Sequence, residues 1–206
     1  MNGSSRGAFI CIEGVDAVGK KTQSSILNSR LVSRGFSTAM FSFPDYGTAM
    51  GREIRRFLAG EKTYPPEVRS LLYSANRWEK REELEAALSR NDVLIANRYT
   101  ASNIAYGTSN GLDLQWLLNL DEGLPKPDLV LVLDAPVEVL KTRRARGKDA
   151  YERDLLLQDA ARRSYLTLSG QFGWRIIDAA KGIDSTSGEV ISTVSAFLDR
   201  NRARTV

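Results

Sequence analysis

The chain has 206 residues, 42% of them hydrophobic and 26% charged, a size and balance typical of one globular domain. These proportions exclude a disordered acidic tail, a collagen-like chain and a low-complexity spacer, and they leave enough apolar side chains for a sizeable core. Twenty-nine Lys and Arg against 25 Asp and Glu give a net charge of +4, which suits a phosphate-bearing partner without requiring nucleic acid. Histidine is absent and Cys11 is the single cysteine. Cys/His zinc sites, histidine general bases, Ser-His-Asp triads and an internal disulfide are thereby excluded. No apolar run approaches the roughly 18 residues of a bilayer span. The apolar stretch within the opening MNGSSRGAFICIEG is too short for a signal peptide. The expectation is a cytoplasmic protein without a membrane partner.

Along the chain, short β-type runs alternate with longer stretches of helical period, which predicts an α/β fold with a parallel sheet covered by helices. Strands are expected at Ala8 to Glu13, Ser37 to Phe43, Asp92 to Asn97, Asp128 to Asp134 and Trp174 to Asp178. Several of these are nearly continuous apolar runs, as two covered sheet faces require. Helices are expected to start near Lys20, Met50, Pro66, Leu112, Val137, Arg153 and Gly188; the last sets Val190, Ile191, Val194, Phe197 and Leu198 on one face. Gly35 and Gly60 stand where a residue of positive φ commonly ends a helix, and Pro65-Pro66 opens the next one. There is no internal repeat and no linker, so residues 1–206 read as one domain. The polar tail from Asp199 to Val206 is expected to fray.

The most informative segment is the apolar Phe9-Ile10-Cys11-Ile12-Glu13 followed by Gly14-Val15-Asp16-Ala17-Val18-Gly19-Lys20-Lys21-Thr22. Strand, glycine loop and helix start follow in that order. Two glycines let such a loop wrap so that successive backbone N–H groups and the helix N-terminus converge on a phosphate, to which Lys20 adds a point charge. The segment Gly14 to Thr22 is therefore the candidate phosphate cradle. The position after the loop lysine would ordinarily offer a Ser or Thr hydroxyl to Mg²⁺; it holds Lys21, with Thr22 one step later. Three readings stay open: Thr22 meets the metal, water and acids elsewhere hold it, or the Lys21 ammonium supplies part of the missing charge.

Further strings accompany the loop: Phe43-Pro44-Asp45-Tyr46, Tyr73-Ser74-Ala75-Asn76-Arg77-Trp78-Glu79, Asn97-Arg98-Tyr99 and Gly123-Leu124-Pro125-Lys126-Pro127-Asp128. With them, and with a basic segment from Lys141 to Arg153, the chain resembles the thymidylate kinase family over nearly its whole length. The resemblance implies a three-layer P-loop kinase fold, a five-stranded parallel sheet flanked by helices, with an arginine-rich lid at about 141–154. It implies transfer of the γ-phosphoryl group of ATP to dTMP with Mg²⁺, partners ATP and dTMP but no nucleic acid, and a homodimer. By the same resemblance Arg77 and Arg98 grip the acceptor phosphate, Tyr73 stacks on thymine, Ser102 and Asn103 hydrogen-bond the base, and Tyr106 and Tyr151 approach the nucleoside, with Phe43 beside them. Asp16 would face the acceptor sugar and phosphate. Lys20, Arg98, Arg144 and Arg146 would neutralise charge on the transferring group. Asn97 replaces the aspartate that would help place Mg²⁺, which leaves Asp134 as a second metal candidate beside Thr22, or as a helix cap. Tyr46 stands where some members carry an arginine. A related kinase of broader acceptor range and a non-catalytic nucleotide-binding relative are the alternatives these departures keep open.

Overall fold

The structure, a computed structural model, describes residues 6–143 and 155–203. Five parallel strands, β1 (Ala8–Glu13), β2 (Thr38–Ser42), β3 (Val93–Asn97), β4 (Leu129–Asp134) and β5 (Arg175–Asp178), lie in the order β2-β3-β1-β4-β5. The central strand β1 is buried along almost its entire length, whereas the edge strands are partly exposed, β2 at Met40 and Ser42 and β5 at Arg175 and Ile176. Strand alternation divides β1 between two cores. Ile10 and Ile12 join Leu27, Leu31, Tyr165, Val190 and Val194 on one face; Phe9 and Cys11 join Leu84, Leu88, Leu94 and Tyr99 on the other. The layers are thus helix, sheet, helix.

The helices are α1 (Lys20–Ser33), α2 (Ala49–Leu58), α3 (Pro66–Trp78), α4 (Arg81–Arg90), α5 (Thr100–Ser109), α6 (Leu114–Leu120), α7 (Val137–Arg143), α8 (Leu155–Phe172) and α9 (Ile183–Ala203). Helices α4 and α5 are additions to the sequence expectation. Leu84 and Leu88, one turn apart on α4, each bury fully, which stabilises by about 1.5–3 kcal/mol per side chain. Helix α6 starts two positions later than expected because Asp113 caps it, its carboxylate accepting from Trp116 N at 2.8 Å. Helix α9 starts at Ile183, ahead of Gly188, and continues to Ala203, so the expected fraying from Asp199 is not seen over 199–203. The start near Arg153 lies outside the described residues. Gly35 and Gly60 follow α1 and α2 with φ of 85° and 82°, as expected of helix-ending glycines.

The register pairs Ile12 with both Asn97 and Leu131, so Glu13, Asn97 and Asp134 end their strands along one edge of the sheet. Helices α2 and α3 pack beside that edge through Ile54, Phe57 and Leu58, with Tyr46, Tyr64, Leu72 and Tyr73 against them. Asn76 ties α3 to the turn after β2: its Oδ1 accepts from Asp45 N at 2.8 Å, and its Nδ2 donates to Asp45 O at 3.0 Å and Thr48 Oγ1 at 2.7 Å. The peptide between Phe43 and Pro44 in that turn is cis.

Candidate active site

In an open parallel sheet, ligands settle outside the carboxyl ends of the strands, where the chain order reverses. That point lies here between β1 and β3. Beyond Glu13 the chain turns through Gly14 at φ 128°, Ala17 at φ 63° and Gly19 at φ 102°, and α1 begins. A Cβ on Gly14 would sit 2.4 Å from Leu133 O, so only glycine lets the loop cross the end of β4 this closely. No side chain caps α1 and no acid lies in its first turn. Its N–H groups and dipole therefore remain available to an anion. Lys20, 8% exposed, donates from Nζ to Val15 O at 2.7 Å and lies 3.9 Å from Asp16 Oδ1.

Next to this loop opens a cleft of about 660 Å³. Every described acceptor candidate lines it: Asp16, Phe43, Tyr73, Arg77, Arg98, Ser102, Asn103 and Tyr106. Pro44, Tyr46, Leu58, Asn76 and Tyr99 complete the wall. Tyr151, Arg144 and Arg146 lie outside the described residues.

Two arginines enter from different sides. Arg98 sits just past β3 in the left-handed region, φ 63°, a conformation that costs a non-glycine residue about 1–2 kcal/mol. Its Nη2 donates to Asp16 Oδ1 and its Nη1 to Ser102 Oγ at 3.1 Å, while its guanidinium lies 5.7 Å from the Tyr106 ring centre. Burial pushes the Asp16 carboxyl upward, but the Arg98 and Lys20 charges and the Gln158 hydrogen bond prevail and hold it well below the usual range. Burial likewise opposes the charge on Arg98, and Asp16, Tyr106, Tyr165 and Glu13 together outweigh it. Burial raises the Tyr106 phenol.

Arg77, on the floor of the cleft, is 2% exposed, with Nε 3.2 Å from Asp121 Oδ1 and Nη2 2.6 Å from Asp121 Oδ2. Two of its three nitrogens are thus committed to Asp121, a carboxylate with no sequence signal of this role. Tyr73 precedes it by one helical turn on the same face of α3. The ring of Tyr46 carries the Arg55 guanidinium 4.9 Å from its centre, so an arginine stands at this corner although position 46 is a tyrosine.

Gln158, also unforeseen, holds Asp16 from α8: its Oε1 accepts from Asp16 N at 3.1 Å and its Nε2 donates to Asp16 Oδ2 at 2.8 Å. A glutamine on a helix gives no sequence signal of such a role.

The described residues do not fit a metal ion held by protein ligands. Both oxygens of Asp134 are taken by Arg162, at 2.7 and 2.8 Å. Thr22 and Lys21 are exposed on α1. Asn97 offers one neutral Oδ1, buried and without a hydrogen-bond partner, while its Nδ2 donates to Ser42 Oγ at 3.0 Å. Among the described residues no group of three or more His, Cys, Asp or Glu side chains gathers that could hold a metal. Nor, among these residues, is any helix long and apolar enough to cross a membrane.

A glycine phosphate loop at the switch point of a five-stranded parallel sheet, opening onto a cleft that carries buried guanidinium groups, defines a P-loop nucleotide phosphotransferase. The family model described as thymidylate kinase matches residues 12–190. The thymidylate kinase of Schizosaccharomyces pombe is 33% identical over 200 residues, covering 95% of each chain. That of Homo sapiens is 34% identical over 187 residues, covering 90% of this chain and 88% of the human one. The solved structure of the thymidylate kinase from Candida albicans superposes with a TM-score of 0.78 at 31% identity, covering 96% of this chain and 93% of that one. The chain belongs to the thymidylate kinase family. Its reaction follows from that membership: the γ-phosphoryl group of ATP passes to dTMP, giving dTDP and ADP.

Proposed function

We propose that dTMP lies along the cleft with its phosphate at Arg98 and its base against Tyr73, and that ATP meets it over the loop from Gly14 to Thr22. The supporting observation is the convergence of Asp16, Phe43, Tyr73, Arg77, Arg98, Ser102, Asn103 and Tyr106 on one cleft. The Asp16–Arg98 pair gives the polarity of that arrangement, because it joins the cleft directly to the phosphate loop. The acceptor phosphate therefore belongs at this end, in line with the donor. Arg77, with its charge matched by Asp121 and its position one turn from Tyr73, is assigned to a carbonyl edge of the base through Nη1 rather than to the phosphate. Asn103 joins it there, and Tyr106 flanks the sugar. Arg55, carried on Tyr46, is our candidate for a further cation at the mouth.

On the donor side the helix α1 N-terminus and Lys20 receive the ATP phosphates. Arg144 and Arg146 remain the candidates for closing charge over the transferring group, and Tyr151 for a nucleoside contact. Mg²⁺ enters as Mg·ATP, and no side chain is assigned as its ligand. We further propose a single domain over residues 1–206 acting as a cytoplasmic homodimer. The test is coupled ADP release with dTMP, dUMP and thymidine, with and without Mg²⁺, in the wild type, Arg98→Ala and Lys21→Ser. Arg98→Ala is expected to raise the dTMP KM by about 10- to 100-fold, the loss of a charge-assisted hydrogen bond. An unchanged KM would overturn the orientation. A metal dependence unchanged in Lys21→Ser would remove Lys21 from charge compensation.

A further inference from the structure

Glu13, the last residue of β1, is fully buried, and no step assigned above uses it. Its Oε1 accepts from Tyr99 N at 2.7 Å and Ser102 N at 3.2 Å; its Oε2 accepts from Ser102 Oγ at 2.6 Å and Tyr165 OH at 2.9 Å. Cys11 Sγ lies 3.4 Å from Oε1. Both carboxylate oxygens thus face donors only. Two of these donors are backbone N–H groups that flank the first turn of α5, directly after Arg98. They brace the segment in which Arg98 adopts its left-handed backbone conformation.

The hydroxyl of Ser102 is the link to the cleft. A hydroxyl has one proton and two acceptor lone pairs. Tyr165 OH, 2.9 Å from Ser102 Oγ, also donates to Glu13 Oε2; with the Ser102 proton likewise committed to Oε2, Ser102 Oγ presents a lone pair to Arg98 Nη1, 3.1 Å away. We propose that Glu13 is a positioning residue for the acceptor phosphate, fixing the direction of the Ser102 hydroxyl so that Ser102 accepts from, and thereby aims, the Arg98 guanidinium. The proposal rests on the reading that Arg98 meets the phosphate of dTMP.

The isosteric change Glu13→Gln separates this role from packing. In one orientation the amide NH₂ faces Ser102 Oγ and Tyr165 OH, which lie 2.9 Å apart; one of the two hydroxyl protons then loses its acceptor, and the Ser102 proton is no longer held away from Arg98. In the other, NH₂ faces the N–H groups of Tyr99 and Ser102, and the segment carrying Arg98 loses its anchor. A glutamine satisfies one side at most.

The experiment measures dissociation constants of dTMP and of thymidine, and the ATP KM, in the wild type, Glu13→Gln, Ser102→Ala, their double variant and Arg98→Ala. Glu13→Gln is expected to weaken dTMP by about 10-fold or more, the effect of disturbing one charge-assisted hydrogen bond, while thymidine and ATP change by less than about twofold. In the Ser102→Ala background the same change is expected to add less than about twofold, because the hydroxyl through which it acts is gone. Equal weakening of dTMP and thymidine, or factors that multiply in the double variant, would overturn the proposal and leave Glu13 a structural residue. Should Glu13→Gln fail to fold, Ser102→Ala and Ser102→Thr decide: loss of dTMP affinity in the first and retention in the second support the relay, and full affinity in Ser102→Ala overturns it. Arg98→Ala keeps two failures apart, since dTMP affinity unaffected there would refute the underlying orientation instead.

Discussion

Replacing Asp121 with alanine gives a sharp test of how the cleft floor is held. Arg77 and Asp121 are 2% and 6% exposed at their side chains and meet through two hydrogen bonds. Removing one member of such a pair leaves the other charged and dry, which costs about 3–5 kcal/mol. Ser74, which also donates to Asp121 Oδ1 at 2.8 Å, keeps Leu120 O at 2.9 Å as an acceptor and adds little to the loss. At about 2–4 °C per kcal/mol for a domain of this size, Asp121→Ala should lower Tm by about 6–20 °C. The double change Arg77→Met with Asp121→Leu removes both charges and keeps apolar volume, so its stability should return to within about 1 kcal/mol of the wild type. Its dTMP KM should nevertheless stay raised, because the Nη1 donor is gone. Urea unfolding and calorimetry give the stabilities, and coupled ADP release gives the KM. A Tm within about 2 °C of the wild type in Asp121→Ala would refute the claim that this pair is both dry and mutually dependent.

The remaining predictions concern pH and the backbone. Asp16 is lowered, so its charge and its pair with Arg98 are complete above the ordinary carboxylate value and are lost only as pH falls through the depressed one. Cys11 and Tyr106 are raised, so these groups all titrate away from neutrality. kcat/KM should therefore be flat from about pH 7 to 9 and fall only as the acceptor phosphate takes up its second proton near about pH 6; a limb at pH 7–8 would contradict this. Gly14→Ala should abolish ATP binding measured by titration, since its Cβ would meet Leu133 O at 2.4 Å with φ at 128°. Gly51→Ala puts a Cβ 1.7 Å from Asp45 O and should displace the Phe43–Tyr46 turn, raising the dTMP KM while the ATP KM holds.

Sequence alone carried the sheet well, because a strand covered on both faces must be apolar at nearly every position, and β1, β3 and β4 are. The phosphate loop was equally readable, its glycines being required by φ and close approach rather than by packing. Helix α5 was harder to see: Ser102 and Asn103 read as ligand positions, and the same residues begin a helix whose cap is replaced by Glu13 from another strand. What escaped entirely was pairing across the fold. Asp121, Arg162 and Gln158 acquire their roles from Arg77, Asp134 and Asp16, which are distant in sequence, and neither periodicity nor spacing encodes such partners. Asn76, read within a ligand-associated string, lines the cleft and also fastens the turn after β2.

The same pairings bear on how a dianion is received. Arg98 and Lys20 share Asp16, Arg77 has Asp121, and Arg162 has Asp134, so the cations along the sheet edge and cleft floor are matched before any nucleotide arrives. An unmatched guanidinium at this depth would be costly to bury. The carboxylates hold the guanidinium groups in place without ligand, so phosphate meets donors already oriented instead of ordering them. Arg98 is shared differently from Arg77: Gln158 draws Asp16 from the far side through both its backbone N–H and its Oδ2, while Ser102 steadies the opposite end of the guanidinium. An incoming phosphate can then take over Arg98 without Asp16 losing all its partners. Among the described residues Asp121 has only the Ser74 side chain besides Arg77, which favours Arg77 staying with it. Under the proposed orientation, the chemistry of exchange falls to Arg98 and that of fixed recognition to Arg77.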